Sequence, residues 1–150
     1  MIFPYVRHSV EKSPAIPSGE VARPEIPIRI IGRNEVVEVT ALLDTGADHV
    51  FLSVLLAELL GIEIDDEPAE AAKGAGGHQL KIWSGEVELE VSSDDESYRW
   101  HAHVGFLESG DDPAAAYLGH AGFLEYFKAS FDFGEQSVEL IPKGNFSAGF

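Results

Sequence analysis

Ala41-Leu42-Leu43-Asp44-Thr45-Gly46-Ala47-Asp48 decides how this chain is read. An apolar run feeding an aspartate at a strand end places a carboxylate at the rim of a packed sheet. Gly46 lets the backbone turn tightly and another chain approach closely. Thr45 offers a hydroxyl to a neighbouring backbone or to its own copy across a symmetry axis. Upstream, Ile28-Arg29-Ile30 alternates, Gly32-Arg33-Asn34-Glu35 reads as a turn, and residues 36–43 read as the return strand. The pair is a hairpin whose far end carries Asp44.

Downstream of the loop the pattern predicts a short strand over 49–52. A helix follows, with Ser53 as N-cap and Gly61 as its stop. Asp65-Asp66-Glu67-Pro68 is an acidic loop, and Gly74-Ala75-Gly76-Gly77 is a glycine-rich tip. Two alternating strands, 87–91 and 98–104, are joined by Ser92-Ser93-Asp94-Asp95-Glu96. Tyr117-Leu118-Gly119 leads into a second short helix expected over 121–127. Phe131-Asp132-Phe133, a turn at Gly134-Glu135 and a strand over 137–141 end the pattern. Pro4, Pro14, Pro17, Pro24 and Pro27 punctuate the first 27 residues, which should run extended and mostly outside any central sheet position. The expected architecture is mostly β with two short helices.

The 150 residues fit one domain, and 45% apolar with 24% charged residues is the composition of an ordinary globular protein. Cysteine is absent, so disulfides, thiolate nucleophiles and thiolate metal sites are excluded. A net charge of −16 argues against nucleic acid and anionic membrane surfaces as partners. No stretch is long and apolar enough to span a bilayer. The opening Met1–His8 lacks the apolar core of a signal peptide, so the expected location is cytoplasmic. His101 and His103 share one strand face, but no third ligand stands near them in sequence. They are read as solvent-facing, and no metal or other cofactor is expected.

The string around Asp44 resembles the active-site loop of the retropepsins, the retroviral-type aspartic proteases. Ala22-Arg23-Pro24 and the two strands leading to Asp44 are similar to the N-terminal part of that family. Gly74-Ala75-Gly76-Gly77 resembles the tip of its flap, the hairpin that closes over substrate. Tyr117-Leu118-Gly119 with Phe123-Leu124 resembles its second signature, which braces the active-site loop. These landmarks stand in family order over residues 22–142, leaving a Pro-rich arm at 1–21 and a tail at 143–150.

The resemblance implies a retropepsin-like acid-protease half-barrel with a flap hairpin, working as a homodimer on polypeptide substrates. Asp44, Thr45 and Gly46 are the expected catalytic loop, and Ala47, Asp48 and residues 74–77 the expected substrate contacts. Arg23, Leu118, Gly119 and His120 are the expected bracing and dimer residues. Arg23 matches the family arginine that reaches across the dimer to the position of Asp48. His120 stands where the family often has an arginine bonded near that aspartate.

Activating a water while donating to a peptide carbonyl takes one ionised and one protonated carboxylate. The sequence holds a single Asp-Thr-Gly, so a two-fold dimer supplies the second. The phosphate loop of actin-like ATPases also follows an apolar strand, but it needs two larger domains and a second loop that this chain lacks. The alternative of another class is a catalytically silent dimer of the same fold that binds or tethers a protein partner.

Overall fold

The computed structural model describes residues 1–68, 70–73, 77, 79–144 and 146. The chain opens with β1 (Ile2–Pro4), β2 (Val6–Ser9), β3 (Glu20–Arg23), β4 (Glu25–Ile31) and β5 (Val36–Leu43). Next come β6 (Phe51–Ser53), α1 (Val54–Leu60), β7 (Glu70–Lys73) and β8 (Gln79–Ser92). β9 (Ser97–Leu107), β10 (Ala116–Leu118), β11 (Phe127–Asp132) and β12 (Ser137–Pro142) complete it. Among the described residues no helix is long and apolar enough to cross a membrane.

Strict alternation makes β4 a one-faced strand: Ile26, Ile28 and Ile30 are fully buried while Pro27 is exposed and Arg29 half-exposed. Each buried isoleucine contributes about 1.5–3 kcal/mol of transfer free energy. β5 answers with Val39, Ala41 and Leu43 on the same side. The seven-stranded sheet has the order β4-β5-β10-β6-β9-β8-β7, and it closes because β8 also pairs with β4 over Arg29↔Glu90 to Ile31↔Glu88. Closure leaves β4 and β8 no free inner edge, and the barrel interior fills with Leu52, Leu89, Val104, Phe106 and Leu118. β7 pairs with the opening residues of β8, on the edge that β4 takes further along.

A second layer covers one end of the barrel. β1, β12 and β11 form a three-stranded antiparallel sheet whose Phe3, Val138 and Leu140 join the core. Trp100 on β9 meets Phe123 and Phe127 at 5.8 and 5.5 Å between ring centroids, and its Nε1–H donates to Gly122 O at 2.8 Å. That aromatic contact fastens the small sheet to the barrel. β2 and β3 pair only with each other, so the chain from Val6 to Arg23 stays off the seven-stranded sheet, whereas Glu25–Pro27, expected outside it, open β4 and pair with β5.

α1 begins and ends as its sequence signals predict. Ser53 Oγ accepts from Leu55 N at 3.2 Å, and Gly61 caps the C-terminus with φ +65°. The expected second helix over 121–127 is not formed. Gly122 takes φ +89°, which a right-handed helix does not tolerate, and its N–H bonds the Glu125 side chain at 2.6 Å. The segment is a series of turns, with Leu124 N donating to Gly119 O and Glu125 N to His120 O. Three strands also change their bounds. The short strand after the loop spans Phe51–Ser53, with His49 reduced to an isolated bridge to Ala121, and β8 and β9 run well beyond the expected 87–91 and 98–104.

Candidate active site

Two chain segments meet at the barrel rim. β5 delivers Asp44, and β10 lies parallel beside it, with Tyr117↔Leu42 and Leu118↔Leu43 in register. β10 also pairs antiparallel with β6, so it is wedged between the strands entering and leaving the aspartate loop. Backbone bonds then sew the segments together. Asp44 N donates to Leu118 O at 3.1 Å, His120 N to Ala47 O at 3.0 Å, Ala121 N to Asp48 O at 2.9 Å and Val50 N to Ala121 O at 3.0 Å. On the other side, Leu43 N donates to Pro24 O at 2.9 Å.

Gly119 explains how closely the segments approach. A Cβ there would fall onto His49 O and lie 2.5 Å from Ala47 O, so no larger residue fits without moving the loop. Leu118, fully buried, anchors the same segment in the core. These two residues hold the loop from beneath.

Asp44 itself is half-buried. Its Oδ1 accepts from Gly46 N at 2.9 Å, and its backbone O accepts from Ala47 N at 3.2 Å, which folds the loop back upon its own carboxylate. Thr45, Gly46 and Asp48 are exposed, and Ala47 is half-buried. His120 is also exposed, and its Nε2 lies 2.7 Å from Thr45 O. The imidazole therefore meets the Thr45 carbonyl, one step along the loop from the aspartate. Arg23 is exposed at the end of β3, and neither Arg23 nor Asp48 makes an ion pair among the described residues.

Of the glycine-rich tip, Gly74, Ala75 and Gly76 lie outside the described residues. Gly77 has φ +80° with no atom within 4 Å of a Cβ built there. The strands flanking the tip form a hairpin, paired from Glu70↔Ile82 to Lys73↔Gln79.

The sequence reading missed a polar ladder on the outer face of β8 and β9. Register pairs Glu86 with His103, Glu88 with His101 and Glu90 with Arg99, while β4 sets Arg29 beside Glu90. Glu90 is buried, and its carboxylate accepts from Arg99 Nη2 at 2.7 Å, from Arg99 Nε at 2.9 Å and from Arg29 Nη1. Burial pushes the Glu90 carboxyl up, but hydrogen bonds from Arg99 and then Arg29 outweigh it and hold the group below the usual carboxylate range. The signal was present: symmetric pairing about the turn at 92–96 sets Glu90 opposite Arg99. His101 and His103 are exposed and lie 3.7–3.9 Å from Glu86 and Glu88. Among the described residues no group of three or more His, Asp or Glu is placed to hold a metal ion.

Fold and loop together define a class: a closed β barrel of the acid-protease type carrying one aspartate loop per chain. The profile of the family described as aspartyl protease matches residues 26–113, and the chain belongs to that family; its architecture is retropepsin-like. Among solved structures it is similar to an EIAV protease complexed with the inhibitor HBY-793, at 23% identity over 65% of this chain and 82% of that one, with a TM-score of 0.43. It is similar to the retroviral protease-like domain of Ddi1 from Leishmania major, at 16% identity over 83% of this chain and 98% of that one, with a TM-score of 0.47. It is similar also to a retropepsin-like aspartic protease from Rickettsia conorii, at 20% identity over 91% of this chain and 98% of that one, with a TM-score of 0.47. No curated protein matches the chain.

Proposed function

We propose that this protein is an aspartic endopeptidase whose site is completed by two copies of the chain, each giving one Asp44. The observation that carries the reading is the state of that carboxylate. One oxygen is held by Gly46 N at 2.9 Å on a loop braced from both sides, while the side chain stays open at the barrel rim. A carboxylate so fixed and so accessible suits chemistry better than packing. One Asp-Thr-Gly per chain then calls for a second chain across a two-fold axis.

Two such carboxylates share one proton, because like charges a few ångströms apart do not both ionise cheaply. The ionised partner takes a proton from a water as its oxygen attacks the scissile carbonyl carbon. The protonated partner gives its proton to the carbonyl oxygen, producing a neutral gem-diol. Collapse re-forms the C=O bond, breaks the C–N bond and delivers a proton to the leaving nitrogen. No cofactor enters. In this reading the exposed Thr45 braces the two loops against each other. Gly46, Ala47 and Asp48 meet substrate backbone, and the β7–β8 hairpin closes over it. Arg23 of one copy pairs with Asp48 of the other.

A cleavage assay on a diverse peptide pool between pH 3 and pH 8, read by mass spectrometry, tests the reading. Cuts made by the wild type and absent from Asp44→Asn are expected. Equal cleavage by both proteins removes Asp44 from the mechanism.

A further inference from the structure

We propose that His120 is a positioning residue for Asp44, acting through the single peptide group that joins Thr45 to Gly46; the proposal rests on the cleavage reading above. The carbonyl end of that peptide lies 2.7 Å from His120 Nε2. Its amide end donates to Asp44 Oδ1 at 2.9 Å. A carbonyl oxygen only accepts, so Nε2 carries the proton. One imidazole N–H, one peptide group and one carboxylate oxygen thus stand in line.

Such a chain is cooperative. A donor on the carbonyl draws electron density toward oxygen, polarises the peptide and makes its N–H a stronger donor at the far end. The imidazole therefore fixes the orientation of the Thr45–Gly46 peptide, and with it the N–H that holds the Asp44 oxygen.

The backbone that carries the imidazole is held at both ends. His120 N is tied to Ala47 O at 3.0 Å and His120 O accepts from Glu125 N at 2.9 Å, directly after Gly119, where a Cβ would meet Ala47 and His49. The ionisable side chains on the segments bonded to it are Asp44, Asp48 and His49 on the loop side and Glu125 on the turn that follows. Glu125 is directed to Gly122 N at 2.6 Å.

The test compares wild type with His120→Phe, which keeps a ring and loses the donor, and His120→Gln, which restores an N–H. Because His120 is exposed, both variants are expected to fold, as circular dichroism checks. In peptide cleavage, His120→Phe is expected to lose about threefold to tenfold in kcat, the size of one hydrogen bond, with KM little changed. His120→Gln is expected to recover most of kcat. An unchanged kcat in His120→Phe, or equal damage in both variants, overturns the proposal. A second readout does not depend on turnover. The Gly46 amide proton resonance is expected upfield in His120→Phe and back near its wild-type position in His120→Gln. A Gly46 resonance indifferent to both substitutions overturns the coupling. A wild type that cuts nothing while Gly46 still follows His120 removes the cleavage reading and leaves the coupling standing.

Discussion

The amide of Asp44 donates to the carbonyl of Leu118 at 3.1 Å, across 74 residues of chain, and this bond joins the aspartate loop to the strand that supports it. One residue further along, Gly119 lets the supporting segment pass directly beneath Ala47 and His49. Loop geometry is therefore set from β10 rather than from the loop alone. Gly119→Ala tests this. The added methyl has only backbone carbonyls to meet, so overpacking should cost about 1–3 kcal/mol. The thermal midpoint should fall by several degrees, and peptide cleavage should fall further than the loss of folded protein explains. A wild-type midpoint with wild-type turnover would show that the loop does not depend on this close approach.

Glu90 gives a stability prediction with a definite pH dependence. Its carboxyl is held below the usual range in the folded state by Arg99 and Arg29, against the opposing effect of burial. A depressed folded value means the stabilisation is complete above the unfolded value and is lost as pH falls through the folded one. Glu90→Gln should therefore lower stability by about 1–2 kcal/mol at pH 7, a figure discounted because both arginines are partly exposed to solvent. The difference should narrow as pH drops below the ordinary carboxylate range. Urea midpoints at pH 7 and pH 3 check it, and a gap that widens in acid would contradict the assignment.

Trp100 fastens the small sheet to the barrel through both its ring and its N–H. Trp100→Phe keeps an aromatic face and leaves Gly122 O, a buried acceptor, without its partner. A loss of about 1–3 kcal/mol is expected, seen as a lower chemical-denaturation midpoint with an unchanged far-ultraviolet spectrum. No change in the midpoint would mean that the bond from the indole N–H to Gly122 O carries no weight of its own.

How much of this was legible in the sequence follows from which physics is local. The hairpin into Asp44 was legible because Ile26, Ile28 and Ile30 alternate without interruption and turn residues follow at once. α1 was legible from Ser53 and Gly61, whose capping roles depend only on their nearest neighbours. The second helix was misread because the apolar spacing of Phe123, Leu124 and Phe127 also serves a run of turns, and the φ of Gly122 is decided by contacts with Trp100 and Glu125. The Arg29–Glu90–Arg99 arrangement needs two strand registers at once, one of them between β4 and β8, which lie 61 residues apart at the paired atoms. Periodicity says nothing about such a pairing. At the site, the order of the landmarks pointed to Asp44 and Gly119, whereas the meeting of His120 with the Thr45 carbonyl depends on how the turn at 119–121 presents its side chain.

Association should respond to charge. Each chain carries a net −16 at pH 7, so bringing two together adds long-range repulsion that salt screens and acid reduces. Sedimentation velocity at pH 7 should show dimer increasing from low to moderate salt, and again on moving to pH 5. A dimer fraction that falls with salt would mean that ion pairs, not repulsion, dominate between the copies.

The most direct test of the account is whether one active site takes one Asp44 from each of two chains. Wild-type protein at a fixed concentration is mixed with rising amounts of Asp44→Asn, and the initial rate of peptide cleavage is followed. Heterodimers with a single carboxylate should be inactive, so the rate should fall steadily as the variant is added, and specific activity should also fall on dilution of the wild type alone. A rate unaffected by the variant, with specific activity independent of dilution, would contradict the shared site.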